Sequence, residues 1–274
     1  MEVIVLSIRG NLFLISGIVI VASIIIISIL ADYIAPFSYD EVAGPPLSPP
    51  NGVNLMGTDN LGYDVWSRIV YGSRSVLFVV FASIILSAVI GIPLGLLSGY
   101  ISGKLDKALS FIMDSIYAFP SLVLAITLAV VLGPSPVNAA IAIAIVYVPT
   151  YFRMVRGQVL SVKTEPFIEV NRALGLPLAR MLFRHILPHV APTIMVVFSL
   201  SSTDAVLTEA ALSFLGLSVQ PPTPDWGYEL YKGKGFILSG AWWMVFFPGL
   251  MITLLAMGFA LISEGLSKGE REAI

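Results

Sequence analysis

The feature that most limits the fold of this sequence is a set of long stretches without a charged residue. Residues 12–31, 75–103, 115–152 and 236–263 each lack Asp, Glu, Lys and Arg. Hydrophobic residues make up 57% of the 274-residue chain and charged residues only 12%, against about 25% charged residues in an average soluble domain. Because so few charges cannot cover a water-exposed surface, lipid is the solvent around most of this protein.

These stretches predict an all-α membrane protein with six spans, because an apolar helix needs about 20 residues to cross the hydrocarbon core. The stretch 115–152 is too long for one helix and is divided by the turn sequence GPSP at 133–136. A fifth span is predicted over residues 191–212, although Asp204 and Glu209 lie within it. The first apolar run is longer than the core of a signal peptide and is interpreted as a retained helix.

Lys and Arg in the connecting segments predict the orientation, because cytoplasmic loops carry an excess of them. With the N-terminus inside, eleven of these residues are cytoplasmic and four are outside, which predicts a multi-pass protein of the cell membrane with both termini in the cytoplasm. The inside set is Arg9, Lys104, Lys107, Arg153, Arg156, Lys163, Arg172, Arg180, Arg184, Lys268 and Arg271, and the outside set is Arg68, Arg74, Lys232 and Lys234.

The spans and the longer connections give the predicted organisation of the chain. It consists of an N-terminal spanning helix (1–31), an extracytoplasmic loop (32–74), a core of five helices (75–263) and a cytoplasmic tail (264–274). Within the core, a basic inner loop covers residues 157–189 and an outer loop covers residues 213–235.

The inner loop contains predicted helices of its own. Glu165 and Pro166 are typical of a helix start, since Pro is tolerated in the first turn and an acid is favoured there. Gly175 is placed to end this helix in the left-handed conformation, and Pro177 begins a second helix, which Pro188 is expected to disrupt. The apolar side chains expected to be exposed in this loop are Phe167, Ile168 and Leu174. Their exposure favours either a docking surface or a helix lying on the bilayer.

The stretch 169–188, EVNRALGLPLARMLFRHILP, resembles the EAA signature of importer permeases, the membrane subunits of ATP-binding cassette uptake systems. Val170 and Asn171 replace the two alanines of the signature, and His185 stands at its usual isoleucine, as in the peptide-importer branch. The signature positions occupied at the expected spacings are Glu169, Gly175, Leu187 and Pro188.

Two further stretches resemble the dipeptide, oligopeptide and nickel permease family, in its second-subunit (C-type) branch. Residues 56–74, MGTDNLGYDVWSRIVYGSR, resemble the signature before the second helix, with Tyr63 in place of its usual Arg, and residues 208–227, TEAALSFLGLSVQPPTPDWG, resemble the block after the fifth. The resemblance implies the type I importer permease fold with six spanning helices, in which the EAA loop is a coupling helix that fits a groove on a cytoplasmic ATPase. The coupling residues that it implies are Phe167, Glu169, Arg172, Ala173, Gly175, Leu187 and Pro188.

The same resemblance implies the partners of this chain. A second homologous permease, two cytoplasmic ATPase subunits and an extracytoplasmic substrate-binding protein would complete the importer, with ATP and Mg²⁺ bound by the ATPases. The chain itself is expected to be neither an enzyme nor a cofactor-binding protein, since the Gly-Lys pairs at 103–104 and 233–234 lack the following Ser or Thr of a phosphate-binding loop. No cysteine is present and the net charge is −2, which excludes thiolate sites and disfavours nucleic-acid binding.

Several charged residues are candidates for the transport sites. Ionisable residues inside a span tend to face a cavity or a partner, so the candidates for the translocation pathway are Asp204, Glu209 and Asp114. The first two lie roughly 140° apart around a helix and cannot line one narrow stripe; alternatively, they cap helices or bond to the second permease. The candidates for docking the binding protein are Asp59, Asp64, Arg68 and Arg74, unless the Gly-Thr-Asp stretch at 57–59 folds back and packs against the bundle.

Two aromatic and two imidazole side chains complete the predictions. Trp226 and Tyr228 suit the lipid headgroup level. His185 and His189 have a spacing that can bind zinc, but Pro188 interrupts the helix between them, so no metal site is predicted.

The substrate and the transport class have alternatives. The family resemblance favours di- and oligopeptides, and oligosaccharides or nickel are the alternatives within the same architecture. A secondary transporter is the main rival class, but the halves of the chain show none of the internal repeats typical of such proteins.

Overall fold

The computed structural model describes residues 2–272, with side chains described from residue 12 to residue 268. The side chains of Arg9 and Arg271, used above for the orientation, lie outside this part. The described chain is helical and contains no β-strand. Its helices are α1 (Glu2–Ile29), α2 (Ala31–Ile34), α3 (Val65–Ile101), α4 (Gly103–Tyr117), α5 (Ser121–Leu132), α6 (Pro136–Val162), α7 (Pro166–Ala173), α8 (Leu178–Arg180), α9 (Leu187–Phe214), α10 (Trp226–Lys234) and α11 (Trp243–Glu272), with a π-helical segment (Met181–Ile186) between α8 and α9.

Five helical segments of the described chain are long and apolar enough to span a membrane: α1, α3, α6, α8 to α9, and α11. The predicted third span takes a different form, because α4 and α5 meet at a bend of 89° next to Pro120. α5 has only 12 residues, about 18 Å of helix, whereas the hydrocarbon core is about 30 Å thick. The prediction of six spans therefore holds when the bent pair is counted as one broken span.

α3 and α6 pack backbone against backbone along a glycine face of α3. A Cβ on Gly91 would lie 2.7 Å from the Cβ of Tyr151, and a Cβ on Gly95 would lie 2.8 Å from the carbonyl oxygen of Phe152. Only glycine permits this approach, which is how helices associate closely in lipid, where apolar burial alone does not drive them together. The main apolar core surrounds this contact, with side chains from α1, α3, α5, α6, α9 and α11.

Pro188 does not disrupt the helix that leads into the fifth span, so that prediction is wrong. Helical structure runs from Leu178 through Pro188 to Phe214, and Pro188 occupies the first turn of α9. The six residues before α9 form the π-helical segment. Its wider turn relieves the clash that a proline ring makes with the carbonyl one α-turn earlier, and it absorbs the missing N–H.

The extracytoplasmic loop (32–74) and the outer loop (213–235) both pack back against the bundle. Asp64 accepts hydrogen bonds from the amide and the hydroxyl of Ser67, both at 2.8 Å, so α3 begins at Val65 rather than at residue 75. Trp226 is fully buried, and its Nε1 donates to the carbonyl of Ile69 at 2.9 Å. The expectation that Trp226 lies among lipid headgroups is therefore wrong.

The last helix also differs from its predicted extent. α11 begins at Trp243 rather than at residue 236, because residues 236–242 form turns, and it continues to Glu272. The segment predicted as a cytoplasmic tail is thus helical as far as the described chain extends.

Candidate functional site

The inner loop forms a short helix, α7, with well-defined ends. Pro166 is its first residue and Glu165 precedes it in extended conformation, as the sequence predicts. At the other end Gly175 has φ of 72°, and the amides of Gly175 and Leu176 donate to the carbonyls of Arg172 and Asn171 at 3.0 and 3.2 Å. This is the Schellman arrangement of a helix end, so the left-handed role predicted for Gly175 is confirmed.

α7 is anchored to the bundle by Ile168, which is fully buried. Ile168 belongs to an apolar cluster with residues of α3, α6, the π segment and α9, among them Val159 and Ile186. The ring of the half-buried Phe167 lies 4.9 Å from the ring of His189. The prediction that Ile168 is exposed is therefore wrong, since it is the side chain that attaches the helix to the spans.

A polar contact also joins α7 to the π segment. The side-chain amide of Asn171 lies 3.3 Å from Nδ1 of His185. These two residues both stand at positions where the sequence departs from the EAA signature, and the structure shows that they are partners. His189 contacts Phe167, and no cluster of three metal-ligating side chains occurs among the described residues. Both histidines thus have structural contacts.

The outward face of α7 combines apolar and charged side chains. Val170 and Leu174 are 59% and 72% exposed, and they lie four residues apart on one helix face. The Arg172 guanidinium carbon lies 5.6 Å from the centre of the Tyr100 ring. Of the predicted coupling residues, Phe167 and Leu187 are half-buried, and the exposed ones are Glu169, Arg172, Ala173, Gly175 and Pro188.

A groove of about 610 Å³ opens between the α4–α5 bend, α6 and α9. Asp204 is the one charged residue among the described residues that line it, and its side chain is exposed to the groove. Within residues 12–268, no Lys or Arg forms an ion pair with Asp204. The hydroxyl groups that line the groove belong to Tyr117, Ser121, Tyr147, Thr150, Ser201 and Thr208.

The three predicted pathway acids do not come together. Asp114 pairs with Arg153 at 3.0 Å and lines a separate cavity of about 300 Å³. Glu209 is fully buried away from the groove, where its carboxylate accepts a hydrogen bond from Ser218 at 3.3 Å. The structure therefore separates Asp204 from Glu209, as their angular spacing on the helix predicts.

At the outer end of the bundle, charged side chains form a buried network that we call the outer clasp: Arg68, Glu229, Lys232 and Asp59. Arg68 and Glu229 are 2.7 Å apart, and Lys232 lies 3.0 Å from Glu229 and 2.8 Å from Asp59. All four side chains are at most 14% exposed. The clasp joins the extracytoplasmic loop (32–74), the start of α3 and α10.

Three of the four residues predicted to dock the binding protein are buried in the structure. They are Asp59, Asp64 and Arg68, and each has a partner inside the chain. The alternative, that this stretch packs against the bundle, therefore applies to these three residues, and they offer no surface for docking. Arg74 differs, because it forms an exposed ion pair with Asp32 at 2.8 Å. That hydrogen bond holds the pKa of the Asp32 carboxyl below its ordinary value.

The sequence did not predict which residues of the outer clasp pair with each other. Glu229 and Lys232 stand three residues apart, a spacing that predicts a local ion pair, but nothing local indicates Arg68 or Asp59. A second unpredicted pair lies at the other end of the bundle, where Arg156 Nη2 donates to Asp106 Oδ2 at 2.8 Å. Asp106 also accepts a hydrogen bond from Ser98 at 2.6 Å, so it ties α4 to both α3 and α6.

Residues 91–271, from the last third of α3 almost to the end of α11, match the family described as binding-protein-dependent transport system inner membrane component. The chain belongs to this family. A dipeptide transport system permease protein DppC of Alkalihalophilus pseudofirmus is 42% identical over 95% of this chain and 86% of its own length. A di/tripeptide transport system permease protein DppC of Pseudomonas aeruginosa is 36% identical over 95% and 88%.

Two further similarities extend the comparison. A glutathione transport system permease protein GsiD of Pectobacterium atrosepticum is 36% identical over 89% of this chain and 81% of its own length. In an inward-facing structure of the MetNI methionine ABC transporter, one chain has a TM-score of 0.57 and 20% identity, over 72% of this chain and 95% of that chain. The predicted all-α importer permease fold and the C-type branch are thereby confirmed. The chain is a non-enzymatic, multi-pass membrane subunit of a binding-protein-dependent ABC importer.

Proposed function

We propose that this chain forms half of the translocation pathway for short peptides in an ATP-driven importer. A second, homologous permease would supply the other half, and an extracytoplasmic binding protein would deliver the peptide. Two cytoplasmic ATPase subunits would bind ATP and Mg²⁺, since this chain lacks a phosphate-binding loop. The charge distribution supports an orientation in the cell membrane with both termini in the cytoplasm.

The observation that carries this proposal is the unpaired carboxylate of Asp204 in the groove. An ionisable residue inside a span is costly unless it serves a pathway or a partner, and Asp204 has no ion-pair partner among residues 12–268. The relatives are named for dipeptides, di/tripeptides and glutathione, which all carry an ammonium group at neutral pH. A groove of about 610 Å³ has the volume of a small-molecule site.

The coupling proposal rests on how α7 is attached. Ile168 inserts into the cluster shared by α3, α6 and α9, while Glu169, Val170 and Leu174 point outward. A helix fixed to the spans on one face and open on the other can transmit the closure of an ATPase as a rigid-body tilt, which is the movement that alternating access needs. Arg172 at the end of α7 supplies positive charge for an acidic partner surface.

The test uses Asp204→Asn in the complete importer reconstituted in vesicles. Uptake of a dipeptide with a free N-terminus should fall on the order of tenfold or more, as for loss of one charge-assisted hydrogen bond. Uptake of the same dipeptide with an acetylated N-terminus should be low and unchanged by the substitution.

Asp114→Asn is the matched control, since it removes a carboxylate that lies outside the groove and is paired with Arg153. It should retain the preference for the free amine. Equal uptake by wild type and Asp204→Asn would exclude this role for Asp204. Failure of the wild-type importer to take up any peptide would exclude the substrate class itself.

A further inference from the structure

Two acidic side chains meet at the outer end of α9 without a cation between them. Glu209 lies in the last two turns of α9, and Asp225 stands immediately before α10. Both are 0% exposed, and their carboxyl groups are within hydrogen-bonding reach of each other. This acid pair is distinct from the outer clasp and takes no part in the groove.

The donors around the acid pair satisfy only half of its oxygens. Glu209 Oε1 accepts from the Ser218 hydroxyl at 3.3 Å, and Asp225 Oδ1 accepts from the amide of Gly227 at 3.0 Å. Glu209 Oε2 and Asp225 Oδ2 are buried without a well-aligned hydrogen bond in the described chain. The Ser213 hydroxyl lies within reach of the Asp225 carboxyl. Because one neutral hydroxyl cannot compensate two adjacent buried carboxylates, the pair requires either a proton or a cation.

The basic side chains on the helices packed around the acid pair already have other partners. On α3, Arg68 and Arg74 pair with Glu229 and Asp32. On α10, Lys232 pairs with Glu229 and Asp59, and Lys234 lies over the ring of Tyr231, 4.1 Å from its centre. α11 carries no charged residue before Glu264, and on α6 the Tyr147 hydroxyl bonds to Thr208. Among the described residues of α3, α10 and α11, no Lys or Arg is therefore left to neutralise the acid pair.

We propose that Glu209 and Asp225 share one proton, and that the resulting carboxyl–carboxylate hydrogen bond fastens the outer loop to α9. One O–H donated from either residue to the other satisfies both orphaned oxygens at once and removes the repulsion of two buried charges. Two carboxyl groups that share a buried site hold such a proton because both cannot ionise together. In agreement with this, burial raises the pKa of the Asp225 carboxyl.

The position of the acid pair gives the proton a mechanical role. Asp225 caps the start of α10, and the next residue, Trp226, is anchored to α3 through Ile69. α10 also carries Glu229 and Lys232 of the outer clasp. Loss of the proton would place two like charges between α9 and this assembly, so the outer end of the bundle should loosen at alkaline pH.

The sign of the pH dependence follows from linkage. A carboxyl group whose pKa is higher in the folded than in the unfolded state binds more protons when folded, so stability falls as pH rises above the ordinary carboxyl value of about 4. One proton corresponds to a factor of up to ten in the unfolding equilibrium constant per pH unit. The decrease ends at the pH where the folded pair loses its proton.

The experiment compares Glu209→Gln with Glu229→Gln in the purified importer complex, with thermal unfolding followed from pH 5 to pH 9. Glutamine at 209 supplies an N–H in place of the shared O–H, so the midpoint should be kept at pH 5 and its decline towards pH 9 should be reduced. Glutamine at 229 removes the partner of Arg68 and should lower the midpoint at every pH while the decline remains.

Two results would overturn the proposal of a shared proton. A midpoint of Glu209→Gln that falls at pH 5 as much as that of Glu229→Gln would show that both carboxylates are ionised and bound to a cation. A rise in the wild-type midpoint on addition of Na⁺ or Ca²⁺, absent in Glu209→Gln, would lead to the same conclusion.

Infrared absorption of a protonated carboxyl at pH 7, lost in Glu209→Gln, is the direct signature expected of the shared proton.

Discussion

Replacement of Arg68 by Met separates two accounts of the extracytoplasmic loop (32–74), docking of a binding protein or packing against the bundle. If Arg68 were a docking residue, Arg68→Met would weaken the contact with the binding protein and leave the fold intact. In the structure its guanidinium is 4% exposed, 2.7 Å from Glu229, and donates to the carbonyl of Tyr39 at 2.6 Å. The substitution should therefore destabilise the permease itself.

The magnitude follows from the partners that remain. Removal of one member of a buried ion pair costs about 3–5 kcal/mol, because the other charge is left buried without compensation. Lys232 stays 3.0 Å from Glu229 and retains part of the compensation, so we expect the lower end, about 3 kcal/mol. That corresponds to an increase of roughly 100-fold in the unfolding equilibrium constant.

The assay is thermal and denaturant unfolding of the purified complex, with binding-protein-stimulated ATP hydrolysis measured alongside. Arg74→Met is the matched control, because Arg74 lies on the same helix and its pair with Asp32 is largely exposed, where ion pairs contribute little. It should leave the unfolding midpoint close to that of wild type. A wild-type midpoint for Arg68→Met, together with lost stimulation by the binding protein, would refute the buried-clasp reasoning.

Two other predictions concern the inner loop and the contact between α3 and α6. Gly175→Pro cannot adopt the φ of 72° found there, and Glu169→Lys reverses a charge on the exposed face of α7. Both substitutions should abolish uptake in vesicles with membrane insertion intact. Normal uptake by both variants would contradict the coupling proposal. Gly95→Leu would place its Cβ 2.8 Å from the carbonyl oxygen of Phe152 and should cost about 1–3 kcal/mol by overpacking; an unchanged midpoint in denaturant unfolding would contradict this packing.

Local signals in the sequence were sufficient for the ends of α7 and for most of the spans. Pro166 and Gly175 act through their own backbone conformations, so the residues themselves indicate where the helix begins and ends. Pro188 was interpreted wrongly by the same reasoning, since a π-helical segment before it admits the proline without a break. At Pro120 the prediction missed a break instead, because a stretch apolar enough for one span is divided there into two helices that meet at 89°.

The surroundings of the polar side chains at the candidate sites could not be predicted from the sequence. The acid in the groove and the acid in the buried pair, Asp204 and Glu209, look equivalent as sequence, because both interrupt an apolar stretch of α9. Only the packing of α6 and α10 against different sides of α9 leaves one facing an open groove and the other facing Asp225. Likewise, Asn171 and His185 read as two separate departures from a signature until the fold places them 3.3 Å apart.

By itself, the sequence determined that this chain is a bundle of membrane helices with a short helix in its basic inner loop, because hydropathy and helix-end chemistry act over a few neighbouring residues. The tertiary structure decided which charges are paired. Arg68 and Glu229 are 161 residues apart in the chain, and Asp59 and Lys232 are 173 apart. Nothing local distinguishes such residues from surface charges, since their burial exists only once the extracytoplasmic loop, α3 and α10 have packed together.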